Sequence, residues 1–193
     1  MAALGSPAPN PQQPRPPESG EDDVQRAVAL SNAGIEHASQ GDYDGALVRF
    51  SEAFQIFTAV YPGSHPDTAA VAANIGCVYS KQGRFEDAMR QLELALAMQR
   101  ACSVEDGQPH ADAAATLTNI GRLRERQGHF SAALWFYHSA LRLRQQVFGA
   151  EHPATTLAME DVADAAEACG DVEQAALYRA HAAAAAARRA SRT

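Results

Sequence analysis

Three asparagines recur at one position of a repeating pattern: Asn32, Asn74 and Asn119 each stand two residues before a glycine, Gly34, Gly76 and Gly121. A primary amide carries both donors and an acceptor, so it can pair with the backbone of an extended peptide whatever that peptide's side chains are. A helix interior is otherwise a poor place for asparagine, whose side chain competes for backbone hydrogen bonds. The bland alternative is that the three amides make polar contacts between neighbouring helices. Cations follow the second and third asparagines at helical spacing: Lys81 after Asn74, Arg122 and Arg126 after Asn119. Their chemistry is selection of anionic residues.

Other candidates for chemistry fail on spacing. The seven histidines contain no His-Glu-x-x-His or comparable ligand set. His65 and His152 each precede a proline in similar segments, Tyr61-Pro-Gly-Ser-His-Pro66 and Phe148-Gly-Ala-Glu-His-Pro153, which makes them turn residues rather than metal ligands. No glycine-rich phosphate loop follows a strand, and no serine or cysteine nucleophile motif is present. Neither an enzyme nor a cofactor is expected. Cys77 is either a thiol at a binding surface or a small packed residue. Trp135 is expected in the core or on an outer surface.

The glycines open a longer pattern. Gly41, Tyr43, Ala46, Phe50 and Ala53 follow Gly34 at the offsets by which Gly83, Phe85, Ala88, Leu92 and Ala95 follow Gly76. Gly128, Phe130, Ala133, Tyr137 and Ala140 follow Gly121 at those same offsets. The step is 42 residues from Gly34 to Gly76 and 45 from Gly76 to Gly121. A period of that length means a solenoid, and solenoids present extended binding surfaces.

Composition limits what such an array does. The chain has 193 residues and a net charge of −7, so the excess of Lys and Arg that phosphate binding requires is missing and nucleic acid is not an expected partner. No apolar run approaches the roughly 18–20 residues that span a bilayer. The C-terminal Arg188, Arg189 and Arg192 follow an alanine tract too weakly apolar to hold a membrane surface, and predict a solvated tail. The three cysteines, Cys77, Cys102 and Cys169, are odd in number and widely spaced, as reduced thiols of a cytoplasmic protein would be.

Six of the ten prolines lie between Pro7 and Pro17, and residues 1–21 are expected to be a disordered or polyproline-like tail, with Pro11 to Pro14 formally a PxxP match. From Val24 the order is helix, turn, helix, loop: a helix to Gln40, a turn at Gly41-Asp42, and a second helix from Tyr43 to about Tyr61. Units are expected at 22–62, 63–104 and 105–149, with the loop between the second and third at Ala101 to Asp112. A degenerate fourth unit, 150–186, has Ala163 in place of the glycine and reads as a C-terminal cap; a basic tail covers 187–193.

This grid of small and large residues resembles the tetratricopeptide repeat (TPR). The long step and the His-Pro loops are similar to the kinesin light chain-like variety, most closely over His65-Pro66-Asp67-Thr68-Ala69 and Ala73-Asn74-Ile75-Gly76. The resemblance implies an all-α, right-handed solenoid of antiparallel helix pairs whose first helices line a concave groove. It implies a non-enzymatic protein-interaction adaptor or scaffold, and lands the family's peptide-holding asparagines on Asn32, Asn74 and Asn119. Lys81, Arg122 and Arg126 would make the middle of the groove basic, and Glu160, Asp161, Asp164 and Glu167 its C-terminal end acidic. The expected ligand is an acidic peptide. First helices on the order of 10 Å apart would hold roughly 6–10 extended residues. Alternatively, Arg122 and Arg126 pair with Asp161, Asp164 or Glu125 within the chain. The lysines with which TPR clamps grip chaperone carboxylates are replaced by Ser31 and Ala73, and the heptads that join a kinesin light chain to its heavy chain are missing. The other expected mode is docking of a folded partner, or self-association, through the convex face or an end of the array.

Overall fold

A computed structural model describes residues 20–106 and 111–191 of the chain. The PxxP segment, all but the last two residues of the proline-rich tail, and Arg192 lie outside the described residues. Eight helices follow in order: α1 (Gly20–Ser39), α2 (Tyr43–Val60), α3 (Pro66–Lys81), α4 (Phe85–Asp106), α5 (Ala111–Arg126), α6 (Phe130–Phe148), α7 (Pro153–Ala168) and α8 (Val172–Ala190). No strand occurs among the described residues.

Local sequence sets each joint. Helices of a pair are separated by a glycine in the left-handed region, as at Gly83 with φ 78°, where a side chain would collide with the carbonyl that follows. There Arg84 N–H donates to Tyr79 O at 2.9 Å, and the same long-reach bond closes the other three turns, from Asp42 to His37, His129 to Arg124 and Asp171 to Ala166. Asp42 and Asp171 then cap α2 and α8 by accepting from Gly45 N–H at 3.0 Å and Gln174 N–H at 2.9 Å. The two His-Pro loops behave as turns. His65 Nδ1 accepts from Asp67 N–H at 3.3 Å and His152 Nδ1 from Ala154 N–H at 3.1 Å, which caps α3 and α7 ahead of the proline. Each imidazole also stacks on the aromatic residue four before it, Tyr61 or Phe148.

Pairs α1/α2, α3/α4, α5/α6 and α7/α8 pack as hairpins, and successive pairs stack through α2/α3, α4/α5 and α6/α7. Odd-numbered helices touch along one side, α1 with α3 and α3 with α5, and form the inner layer. The repeat glycines explain how closely the hairpins pack. A Cβ on Gly34, Gly76 or Gly121 would lie 2.7–2.8 Å from Phe50, Leu92 or Tyr137, the large residue of the same unit. Alanines on the facing helix, Ala46, Ala88 and Ala133, are fully buried.

Tyr137 fills its slot at 3 % exposure while its Oη donates to Glu125 Oε2 at 2.8 Å. Burial first, and the hydrogen bond to Glu125 second, raise its ionisation well above the ordinary value of 10.0. The folded chain therefore keeps a proton that the unfolded chain releases above pH 10. Stability contributed by this group is present below that pH and lost as pH rises, by at most about 1.4 kcal/mol per pH unit. Urea midpoints between pH 9.5 and 11 are expected to fall more steeply for the natural chain than for Tyr137→Phe; parallel slopes would exclude this origin.

Three boundaries differ from those the sequence predicts. Helix α1 begins at Gly20 rather than Val24, because Glu21, Asp22 and Asp23 favour the positive end of a helix. Helix α4 continues to Asp106, through the position expected for the loop at Ala101 to Asp112 and past the unit boundary at 104, since nothing before Gly107 breaks it and Cys102 is buried. Helix α8 runs to Ala190, so Arg188 and Arg189 are not a solvated tail. Ala182 and Ala185 are buried, and the two arginines donate to Glu151 Oε1 at 3.1 Å and to Glu151 O at 2.9 Å.

Candidate peptide-binding groove

Helices α3 and α5 carry the second and third asparagines, and their C-terminal turns bring the cations together. Lys81, Asn119, Arg122 and Arg126 line one cavity of about 270 Å³, with Cys77 and Ser80 completing its polar and sulfur surface. Asn74 and Asn32 do not line it. Asn74 lies half-buried one turn back along α3, and Asn32 is exposed on α1. None of the three asparagine side chains has a hydrogen-bond partner among the described residues, so the alternative of inter-helix polar contacts does not describe them. Thr118 and Ala73, each next to a repeat asparagine in the chain, are buried, and Thr118 Oγ1 donates to Ala114 O at 3.0 Å.

The cations differ in freedom. Arg126, the last residue of α5, reaches back to the preceding unit: its Nη1 donates to Ser80 O at 2.5 Å and to Ser80 Oγ at 3.1 Å, and its guanidinium lies 5.6 Å above the Phe85 ring. It thus adds a bond to a carbonyl at the end of α3 that also accepts from Gly83 N–H at 3.0 Å. Ser80 and Phe85 could not be picked out as its partners from the sequence, because they lie about one repeat away. Arg122 stands 3.7 Å from Asp161 and is 60 % exposed, so the expected pairing within the chain is realised for Arg122 with Asp161, and for Arg126 with none of the three carboxylates named. Such an exposed pair contributes about 0–1 kcal/mol. Lys81 is exposed.

The C-terminal end of the groove is less acidic than expected. Asp161 sits between Arg122 and Arg144, the latter at 3.8 Å, while Asp164 and Glu167 share Arg179 at 2.9 and 2.5 Å. Burial pushes the Asp161 carboxyl up from its ordinary range, against the pull of its two arginines. Arg144 and Arg179 reach these acids from α6 and α8, outside the positions a groove-facing pattern searches. Tyr137, not Arg122 or Arg126, holds Glu125.

Burial raises the Cys77 thiol above its ordinary range, opposed by Arg122 and Lys81. Raised in this way it is a poor nucleophile, which agrees with a small residue packed at the groove floor. The cysteines are all free. No group of three metal-ligating side chains occurs among the described residues, and no described helix is long and apolar enough to cross a membrane.

Comparison with known proteins matches this architecture. Two tetratricopeptide repeat family models match residues 25–101 and 113–154, together more than half of the chain. No curated protein matches it in sequence. Among solved structures it is similar to a Podosopora anserina protein named for kinesin light chain and described by nearly identical TPR-like repeats. That match has a TM-score of 0.67 at 18 % identity, covering 85 % of this chain and 76 % of that one. BtubC (BKLC) from P. vanneervenii gives a TM-score of 0.69 at 20 % identity, covering 88 % and 72 %. Aspartyl phosphate phosphatase F from Bacillus subtilis gives 0.76 at 15 % identity, covering 88 % of this chain and 42 % of that one. At these identities the structural likeness carries the fold and not the client. With the repeat glycines, the turns and the two family matches in agreement, the chain belongs to the tetratricopeptide repeat family and folds as the kinesin light chain-like arrays do.

Proposed function

We propose that this chain is a non-enzymatic cytoplasmic adaptor that holds an extended acidic peptide along its inner layer of helices. Asn32, Asn74 and Asn119 would pair with the peptide backbone, and Lys81, Arg122 and Arg126 would select its carboxylates. The observation that carries this reading is the cavity shared by Lys81, Asn119, Arg122 and Arg126, together with amides that have no partner of their own. Exposed or half-buried, these amides keep donors and acceptors free for a ligand's backbone.

Panning the full chain against a random peptide library tests it, with Asn74→Ala, Asn119→Ala as comparison. Acidic peptides are expected from the natural chain, weakened about tenfold or more in the double variant, since each amide lost removes bonds of about 1 kcal/mol. Selected peptides without acidic bias, or ones the double variant binds equally, would end the groove reading. Docking of a folded partner on the outer layer is the second reading, favoured by the exposure of Trp135.

A further inference from the structure

The one tryptophan of the chain is 60 % exposed on α6, on the layer opposite the asparagines. Its indole lies edge-on against Phe136, centroids 4.9 Å apart. Two cavities flank it. One, of about 460 Å³, lies between α4 and α6 over a floor of Leu96, Leu117 and Leu143. The other, of about 480 Å³, lies between α6 and α8 beside Tyr178. Both are walled by Trp135 and Arg142, so they form one furrowed surface rather than two sites.

Its charge is as distinctive as its shape. Among the described residues no carboxylate lines either cavity, although the chain carries a net charge of −7. Arg100 and Arg142 are exposed at the rim and have no ionic partner among the described residues. Several arginines elsewhere are matched: Arg84 and Arg90 with Asp87, Arg179 with Asp164 and Glu167, Arg188 with Glu151. Tryptophan and arginine are also the side chains that most often dominate protein interfaces. Two cations on an acidic chain are too few for nucleic-acid backbone, whose affinity comes from many phosphate contacts.

We propose that this outer face is a second docking site, for an acidic amphipathic helix of a partner protein. Residues of α4 and α6 wall the leucine-floored cavity from either side, and an apolar furrow so bounded accepts a third helix. Apolar residues at i, i+3 and i+4 of that helix sit on the leucine floor and against Trp135, and its flanking carboxylates meet Arg100 and Arg142. The site is independent of the inner groove.

Trp135 reports its own occupancy, because the full chain has no other indole. The probe is a helical peptide with leucines at i, i+3 and i+4 and glutamates between them, titrated against the full chain; a second peptide carries lysine for glutamate. A saturable blue shift of Trp135 emission is expected with the glutamate peptide, at least about tenfold weaker in Arg100→Glu, Arg142→Glu, and unchanged in Asn74→Ala, Asn119→Ala. The lysine peptide is expected to give none. The proposal is overturned by no shift, by equal shifts with both peptides, by a shift that survives charge reversal, or by a shift with a dT15 oligonucleotide instead. A blue-shifted Trp135 in the chain alone overturns it equally, since residues 1–19 or a second copy would then cover the face.

Discussion

Gly76→Val is expected to destabilise the fold by about 3 kcal/mol, more than any exposed substitution in the array. The first added atom would stand 2.8 Å from Leu92 Cγ and 3.1 Å from the backbone oxygen of Ala88. Leu92 has no room to retreat at 1 % exposure, and the carbonyl belongs to α4 itself. The helices must separate, and the contacts of Ala88, Leu92 and Ala95 loosen together. Opposing this is a helix-propensity gain: glycine is about 1 kcal/mol worse than alanine in a helix interior and only a few tenths worse than valine. Gly76→Ala takes the full gain of about 1 kcal/mol while adding one atom, so its net cost is expected to be near 1 kcal/mol. Because each unit in a solenoid is held by its neighbours, separation in the second pair costs the first and third units a partner as well. Urea denaturation followed by circular dichroism measures both variants. A Gly76→Val midpoint within error of the natural chain would mean that close approach of α3 and α4 does not hold the unit.

The same contact explains why so much of the fold was legible beforehand. Gly34, Gly76 and Gly121 each precede a large residue by 16 positions, and the structure places that residue against the glycine in all three units. A steric requirement repeated three times leaves a fixed offset in the chain, and the turn glycines and His-Pro loops do likewise. Helix ends were less legible. Alanine propagates a helix without marking its end, which is why α8 continues into Arg188 and Arg189, and α4 has no breaker until Gly107. The candidate site was legible only as a set of positions. Residue type indicated that Lys81, Arg122 and Arg126 are cations on the inner layer, but their partners come from other units: Ser80 for Arg126 and Asp161 for Arg122. Those pairings depend on how one hairpin is rotated on the next, which no offset within a unit records. The outer furrow was illegible for the same reason, since Arg100, Leu117 and Trp135 meet there from three helices.

Arg122→Glu, Arg126→Glu is expected to weaken an acidic groove peptide about a hundredfold and to let a basic one bind. Two unit charges about 6 Å apart interact by roughly 1.4 kcal/mol at an effective dielectric constant near 40. Reversing one charge doubles that change, to roughly 2.8 kcal/mol or about two factors of ten in Kd. About a hundredfold is therefore the loss when a peptide carboxylate meets one of the two arginines, and the lower bound when carboxylates meet both. Loss of structure is a smaller contribution. The Arg122–Asp161 pair is exposed and separated by 3.7 Å, worth at most about 1 kcal/mol. Arg126 contributes more, because two bonds to Ser80 and the contact with the Phe85 ring are lost together. Arg126→Lys separates the two roles: it keeps the charge toward a peptide but cannot reproduce the paired bonds to Ser80. Peptide affinity close to natural with a lowered urea midpoint is therefore expected for Arg126→Lys. The double charge reversal is expected to invert peptide preference, and the difference between acidic and basic peptides should shrink in 1 M salt, where screening acts within about 3 Å. An acidic peptide bound within twofold of natural affinity by Arg122→Glu, Arg126→Glu would remove charge selection from the groove and leave the asparagines to account for recognition alone.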